Sequence, residues 1–295
     1  MSDGDPGVFE ARLWKRGSED WPSGFADLGD REPEQLWRAG PLATGQRRIV
    51  AIVGSRKATV SGLVRARELG EHLSAMGICV ISGLARGIDG AALAGAIQAG
   101  TPAIAVLGNG LPRIYPDENK SLAEQMVLKG GGIVTEHDRF APPRAAHFPQ
   151  RNRLISAWAE VVVVVEATRK SGSLGTAHRA FEMGRSVLAF PGSVDSSAYG
   201  GCHSLIRDGA HLVESVSEVS AWLTEHREPY ELKRENRRLE RLWQISGISA
   251  SSELTRPGAL AEMQQRTGWS AAYLLRVWRH WQSRQQEDES FKEDL

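Results

Sequence analysis

Five short segments of the chain combine glycine or a small hydroxyl residue with a positively charged side chain: residues 54–57, 82–89, 108–115, 136–153 and 169–176. Glycine lets the backbone approach an anion closely, and N–H groups at the start of a following helix donate hydrogen bonds to it. Arginine and lysine add positive charge. Each segment therefore predicts a contact to an anion such as phosphate.

Each of these segments follows an apolar run of strand length. Six such runs alternate with amphipathic or mixed segments: residues 48–54, 77–83, 102–108, 131–136, 161–167 and 186–192. This alternation is typical of βαβ units, and runs that are apolar on both faces indicate strands covered by helices on both sides. A crossover helix after the first run is indicated by apolar residues at helical spacing: Leu63, Ala66, Leu69, Leu73 and Met76. We therefore predict an α/β fold with a mostly parallel sheet and helices on both faces.

The predicted sheet should bring the five segments together. The carboxyl ends of parallel strands open on one edge of a sheet, where ligands bind. Phe148, beside Arg151, adds an aromatic face on which a nucleobase can stack. The alternative is that the glycines only form tight turns and the arginines are solvated. The fivefold recurrence favours an anion-binding rim.

The charge distribution is uneven. The formal net charge is zero, which by itself argues against a nucleic-acid partner. Between residues 139 and 179, however, seven basic residues stand against two acids, a local excess of five. Residues 287–295 contain five acids and one lysine and are predicted to be disordered, so they account for part of the neutrality.

Other chemistries have little support in the residue spacing. The two cysteines, Cys79 and Cys202, form no metal or redox pair, and the histidines are isolated, so neither a metal nor a cofactor is predicted. The Gly-x-Gly pair at 108–110 follows the third run and lacks the further features of a dinucleotide site. Asp89 is predicted to have a capping or structural role.

A series of motifs carries a family resemblance. GSR, GLARGID, YP-x-EN, FP-x-RN, SGS, PG and LIRDGA follow one another over residues 46–215, in an order and spacing that resemble the DprA/Smf family. The resemblance implies a Rossmann-like sheet and a non-catalytic protein that binds single-stranded DNA without sequence preference. It also implies a homodimer that loads the RecA recombinase onto incoming DNA in natural transformation, although the pathway, including phage defence, stays open.

The rim and the motifs together give a set of candidate DNA contacts. Cations would bind phosphates, glycine-loop amides and hydroxyls would support them, and Phe148 would accept an unstacked base. The candidate residues are Gly54, Ser55, Arg56, Gly83, Arg86, Gly87, Phe148, Arg151, Asn152, Arg153, Lys170, Ser171, Gly172, Ser173 and Arg207.

An enzymatic alternative also remains open. The segment Gly172-x-x-Gly175-Thr176 resembles the phosphate loop of LOG-type nucleoside monophosphate hydrolases. That class is expected to carry a catalytic glutamate three residues after the threonine, where this chain has Arg179. Binding is therefore favoured over catalysis.

The chain departs from the DprA/Smf pattern at one position, because Leu93 stands where that family often has histidine.

Three regions are predicted along the chain. Residues 1–45 form an extension packed on the core, and residues 46–225 form the Rossmann-like DNA-binding domain. Residues 226–295 form a linker helix and a small helix-turn-helix or winged-helix-like module with an acidic tail. The first residues lack the apolar run of an export signal, and no run is long enough to span a membrane, so a cytoplasmic protein is predicted.

Overall fold

The computed structural model describes residues 9–45 and 47–226. The chain divides into two compact units, Met1–Glu225 and His226–Leu295. The predicted linker helix, the helix-turn-helix or winged-helix-like module and the acidic tail therefore lie outside the described residues. In the part that is described, no helix has both the length and the apolar character needed to cross a membrane.

The described residues form one nine-stranded sheet. Its order from edge to edge is β1-β2-β6-β5-β4-β3-β7-β8-β9, and the strands from β6 to β9 in this order pair in parallel. The strands are β1 Arg12–Lys15, β2 Gln35–Ala39, β3 Ile49–Val53, β4 Cys79–Ser82, β5 Ile104–Leu107, β6 Gly132–Thr135, β7 Val161–Val164, β8 Ser186–Ala189 and β9 His211–Leu212. The six predicted strands are β3 to β8, so the predicted α/β class is confirmed.

Helices connect the parallel strands. The predicted crossover helix is α1, where Ala66, Leu69 and Leu73 face the core. The helices are α1 Val60–Ala75, α2 Ile88–Ala99, α3 Lys120–Leu128, α4 His147–Trp158, α5 Leu174–Glu182, α6 Gly200–Arg207 and α7 Val216–Glu225. Short 3-10 helices occur at Ser23–Arg31, Asp117–Asn119 and Ser197–Tyr199.

The core lies on both faces of the sheet, as the apolar strands require. Successive residues of a strand point to opposite faces. In β3, Val50 and Ile52 join the cluster formed with α1, α2, α3 and α7, whereas Ala51 and Val53 join the cluster formed with α4, α5 and α6. Both faces of the central strands are therefore covered by helices.

Residues 9–45 contribute two strands to the sheet. β1 and β2 pair with each other, and β2 pairs with β6, in antiparallel register. The side chains of Trp14 and Phe25 are buried against Trp158 of α4, with ring centroids 5.6 and 5.5 Å from it. The sequence predicted neither strand, because this Pro-, Gly- and Trp-rich segment lacks a clear alternating pattern.

Candidate nucleic-acid interface

A cleft of about 720 Å³ opens beyond the carboxyl ends of β3 and β7. From β3 the chain moves stepwise to β4, β5 and β6, then crosses back to place β7 on the other side of β3. The cleft therefore lies at the point where the strand order reverses, the usual ligand position in open α/β sheets.

Many of the predicted site residues meet at this cleft. A smaller adjoining pocket of about 50 Å³ shares Arg56, Phe148 and Arg151 with it and adds Gly83 and Arg86. The predicted residues that line the main cleft are Gly54, Ser55, Arg56, Phe148, Arg151, Asn152, Lys170, Ser171, Gly172 and Ser173.

Exposed cations and aromatic rings lie side by side in the cleft. Arg56, Lys57 and Lys170 are exposed and line its walls. The Arg56 guanidinium lies 5.1 Å from the centroid of the Phe148 ring, and the Tyr115 ring lies 5.6 Å from Phe148. This combination of fixed charge and π-faces suits a ligand that carries both phosphates and bases.

The segment after β7 presents hydroxyl groups to the cleft. The Ser171 and Ser173 hydroxyls are 2.7 Å apart. The Asn152 side-chain amide donates to the Gly172 carbonyl oxygen at 3.1 Å. Lys170 therefore projects from a segment that is braced by α4.

Three side chains of α4 reach glycine carbonyl oxygens in three different loops. His147 Nδ1 lies 3.2 Å from the carbonyl oxygen of Gly108. Arg151 Nη1 donates to Gly83 at 2.8 Å, and Asn152 donates to Gly172 as described above. Residues 147 and 151 share a helix face because they are four apart. One helix therefore links the loops that follow β4, β5 and β7.

The start of α1 is occupied by a carboxylate of the protein itself. Glu166, which is fully buried, accepts hydrogen bonds from the Thr59 amide at 3.1 Å and from the Thr59 hydroxyl at 2.6 Å. A helix N-terminus attracts negative charge, and Glu166 supplies it here. The Thr59 amide is therefore engaged, which differs from the expectation that helix-start amides in these segments bind phosphate.

The segment after β4 rests on two buried charges. Asp89 accepts a hydrogen bond from the Gly83 amide at 3.1 Å, and Arg151 donates to the carbonyl oxygen of the same residue. Burial raises the pKa of the Asp89 carboxyl, and the Arg151 guanidinium and backbone hydrogen bonds oppose that rise. Burial lowers the pKa of Arg151 to about 10, against the opposing effect of Asp89. Asp89 therefore has a structural contact, within the first turn of α2.

Three predicted contacts line neither the cleft nor the smaller adjoining pocket. Gly87 has φ +75° and packs against the Ser55 carbonyl oxygen, which a Cβ there would approach to 2.2 Å. Arg153 pairs with Glu136 and donates to the backbone oxygen of Arg31. Arg207 is exposed at the last position of α6, seven residues from its start at the cleft end, or about 10 Å along the helix.

Several residues near the site were absent from the predicted set. Tyr115 and Lys57 line the cleft, and the Asn119 side-chain amide donates to the carbonyl oxygens of Leu84 and Ala85 at 2.9 and 3.2 Å. The YP-x-EN motif contained both Tyr115 and Asn119. It could have identified them, but sequence alone did not indicate what they contact.

The histidines have contacts of their own. The rings of His137 and His147 stack with centroids 3.8 Å apart, and burial, assisted by His147, lowers the pKa of His137. His203 Nε2 lies 3.1 Å from the Gly192 carbonyl oxygen. Over residues 9–45 and 47–226, no group of three or more His, Cys, Asp or Glu side chains is arranged to hold a metal ion.

Fold and cleft together define a Rossmann-like α/β protein with a basic, aromatic-lined site at its topological switch point. The profile of the family described as DNA recombination-mediator protein A matches residues 12–224. The chain belongs to this family, also known by the names DprA and Smf.

Relatives and solved structures agree with this assignment. Protein Smf of Escherichia coli is 43% identical over 187 residues, which are 63% of this chain and 50% of that protein. DNA processing protein DprA of Bacillus subtilis is 37% identical over 214 residues, 72% of this chain and 71% of the relative. The chain thus spans about half the length of the Escherichia coli relative.

Two solved structures share the fold at appreciable identity. DprA from Streptococcus pneumoniae superposes with a TM-score of 0.67 at 36% identity, covering 72% of this chain and 75% of the other. DprA from Helicobacter pylori, whose structure describes a single-stranded-DNA binding mode, gives a TM-score of 0.66 at 26% identity and covers 74% and 97%.

Proposed function

We propose that the chain binds single-stranded DNA in the cleft, without sequence preference and without catalysis. The observation that carries this proposal is the convergence of exposed Arg56 and Lys170 with the Phe148 and Tyr115 rings at the switch point. The DNA-binding mode described for the Helicobacter pylori protein supports it. Phosphates and unstacked bases can be bound together only where such charges and rings are adjacent.

In the proposed complex, different groups bind different parts of the strand. Arg56, Lys57 and Lys170 neutralise phosphates. The Ser171 and Ser173 hydroxyls are bonded to each other, so the pair donates one hydrogen bond to a phosphate oxygen. Phe148 and Tyr115 stack on bases. Stacking accepts any base, since every base has a π-face, so the complex is sequence-independent.

The wider role proposed for the protein follows its family. We infer that it protects incoming DNA, loads the RecA recombinase, acts as a homodimer and works in the cytoplasm. The family description as a recombination mediator supports this role. Natural transformation is the process in which we expect it to act.

A nucleoside monophosphate hydrolase is not favoured. Among the described residues that line the cleft, Asp89 is the one carboxylate, and it is buried and bonded to the Gly83 amide. Arg179 lies on α5 where that reaction would need a glutamate. Incubation with nucleoside monophosphates is expected to release no free base, as measured by chromatography. Release that a cleft mutation abolishes would favour the enzyme.

The binding proposal is tested by affinity as a function of salt. If about four to six phosphates are neutralised, log K falls with log salt at a slope of about −3 to −4. Arg56→Ala should weaken binding of an oligothymidylate and reduce the slope by about 0.7, the loss of one contact. Fluorescence anisotropy measures both quantities, with duplex DNA as the comparison.

Arg67→Ala is the matched control. Arg67 is exposed on α1, away from the cleft, and donates to Gln98 Oε1 at 2.6 Å. Its removal should leave both affinity and slope unchanged. Binding that ignores salt, or an equal loss in the Arg67 variant, would contradict the cleft assignment.

A further inference from the structure

The segment Gly83–Gly87, here called the β4 loop, is held in place by two buried charged side chains. Both backbone polar groups of its first residue are bonded, because Asp89 accepts a hydrogen bond from the Gly83 amide and Arg151 donates one to the Gly83 carbonyl oxygen. Asp89 is 7% exposed and Arg151 4%. Both side chains therefore contact the loop from its buried side and are almost inaccessible to solvent.

The space at Gly83 leaves little freedom for another arrangement. A Cβ at this position would lie 2.6 Å from both Arg151 Nη2 and Asp89 Oδ2. The two charged groups thus pack directly against the backbone. Close contact of this kind fixes the position of the Gly83 backbone, since neither side chain can shift without losing its hydrogen bond to Gly83 while it stays buried.

The upper part of the β4 loop is fixed by Asn119. Its amide group reaches the carbonyl oxygens of Leu84 and Ala85, and Leu84 has φ +54°, in the left-handed region that costs a non-glycine residue free energy. Such a conformation persists where surrounding contacts determine it. At the tip, Arg86 is exposed, and its Nε donates to Glu118 at 2.9 Å.

We propose that Asp89, Arg151 and Asn119 are positioning residues that hold the β4 loop so that Arg86 reaches the DNA, and that they do not themselves contact DNA. This inference rests on the proposed function and assigns Arg151 a different part in it from a direct phosphate contact. A guanidinium that is closed to solvent and already bonded to a carbonyl oxygen is poorly placed to bind a phosphate in the open cleft.

One observation defines the competing assignment. Arg151 Nε is buried and has no hydrogen-bond partner among the described residues. If the strand enters the small pocket that Arg151 lines, a phosphate oxygen would satisfy this N–H. Direct contact and positioning then make different predictions when Arg151 and Arg86 are changed together.

A double-mutant cycle separates the two. Arg86→Ala and Arg151→Met are each expected to weaken oligothymidylate binding by about tenfold, as is typical of a lost charged hydrogen bond. If Arg151 acts by placing Arg86, the double variant binds as weakly as Arg151→Met alone, and its salt slope falls by one contact, about 0.7. Additive losses of about a hundredfold, with a slope reduced by two contacts, would overturn the inference.

Asn119→Ala gives the same test without a buried charge. The variant keeps the Asp89 and Arg151 contacts to Gly83, so it remains usable if Arg151→Met does not fold. Its loss of affinity should also vanish in the Arg86→Ala background. Global destabilisation alone would not produce this coupling, because binding is measured well below the melting temperature.

Asp89→Ala is expected to change the affinity for DNA in the direction opposite to the one that charge alone predicts. Removing an acid from a cleft that binds a polyanion should strengthen binding if only charge matters. We expect weaker binding, since the Gly83 amide loses its acceptor and the loop loses its lower support. Tighter binding by this variant would contradict the positioning role.

Hydrogen exchange gives a readout that needs no DNA. The Gly90 amide donates to the Ala85 carbonyl oxygen and the Gly83 amide to Asp89, so both report on the β4 loop. Both amides should exchange faster in Arg151→Met than in the unsubstituted protein, and the Gly90 amide should also exchange faster in Asn119→Ala. Unchanged exchange would overturn the inference. If the unchanged protein fails to bind single-stranded DNA, the proposed function falls, and hydrogen exchange alone decides the inference.

Discussion

Arg56 and Arg86 enter the proposed interface from different surroundings. Arg56 lies over the Phe148 ring, so its charge remains available to an anion. Arg86 is already paired with Glu118, in an ion pair whose side chains are 59% and 54% exposed. A phosphate that binds Arg86 must compete with this carboxylate, whereas Arg56 has no ion pair with an acid of residues 9–45 or 47–226 that a phosphate would have to displace.

Glu118→Gln should therefore tighten DNA binding. Exposed ion pairs contribute about 0.2–1 kcal/mol, so releasing Arg86 is expected to increase affinity by a factor of about 1.4 to 5. Fluorescence anisotropy at low salt measures the change. Glu124→Gln is the control, since Glu124 pairs with Lys120 on α3 at 3.9 Å. Weaker binding by Glu118→Gln would mean that the ion pair orients Arg86 instead of competing for it.

The helices differ in how far the sequence could predict their roles. The periodic apolar residues of α1 and the apolar runs predicted the helix and six strands correctly, because burial on a regular element leaves a regular pattern. The link that α4 makes to three loops leaves no such pattern. His147, Arg151 and Asn152 bond to carbonyl oxygens that are 39, 68 and 20 residues away in sequence, so their partners depend on the tertiary arrangement.

The same distinction applies to the candidate site. The edge of the sheet and ten cleft-lining residues followed from strand order and motifs. The pairing of Arg153 with Glu136 could not be predicted, because the sequence does not distinguish an arginine that contacts a ligand from one that pairs with an acidic side chain of the protein. The burial of Arg151 could not be predicted from the sequence either.

The close contact of α1 with α2 makes Gly70 sensitive to substitution. A Cβ at Gly70 would lie 2.0 Å from the backbone oxygen of Ala92, which cannot move aside as a flexible side chain can. Gly70→Ala is therefore expected to lower the free energy of unfolding by about 3 kcal/mol, the upper end of ordinary overpacking. Urea denaturation measures the loss. Gly175→Ala is the control, since its nearest atom is 3.9 Å away, and equal stability of the two variants would contradict the argument.

At the scale of the whole molecule, the proposed DNA site belongs to the first compact unit. Residues of the cleft lie between Val53 and Thr176, well inside the unit that ends at Glu225. Removal of residues 230–295 should therefore change single-stranded-DNA affinity by no more than about threefold, or under 0.7 kcal/mol. Affinity and melting temperature are measured together, and the loss of a duplex-binding or partner function is expected instead. Abolished DNA binding in a truncated chain that still folds would place the site in the C-terminal residues.

The chain's two cysteines can report on the integrity of the same unit. Cys79 and Cys202 are free and fully buried, and burial raises the pKa of each thiol to about 12. Since the thiolate is the reactive form, the native protein should resist thiol reagents at pH 8 and react at both positions in urea. Absorbance of the released chromophore measures the labelling. Rapid reaction of the native protein would show that the core opens more readily than its packing suggests.

The adjacency of β4, β3 and β7 affects how long a strand must be to contact all three loops. The segments that carry Arg86, Arg56 and Lys170 follow these three neighbouring strands, and the axes of β4 and β7, on either side of β3, lie about 10 Å apart. A polynucleotide carries one phosphate per nucleotide whatever its bases, so a row of cations meets the same charges on any sequence. In the proposed complex the three segments set a minimum length for the ligand, because a strand with fewer than about three phosphates leaves at least one of the three cations without a phosphate.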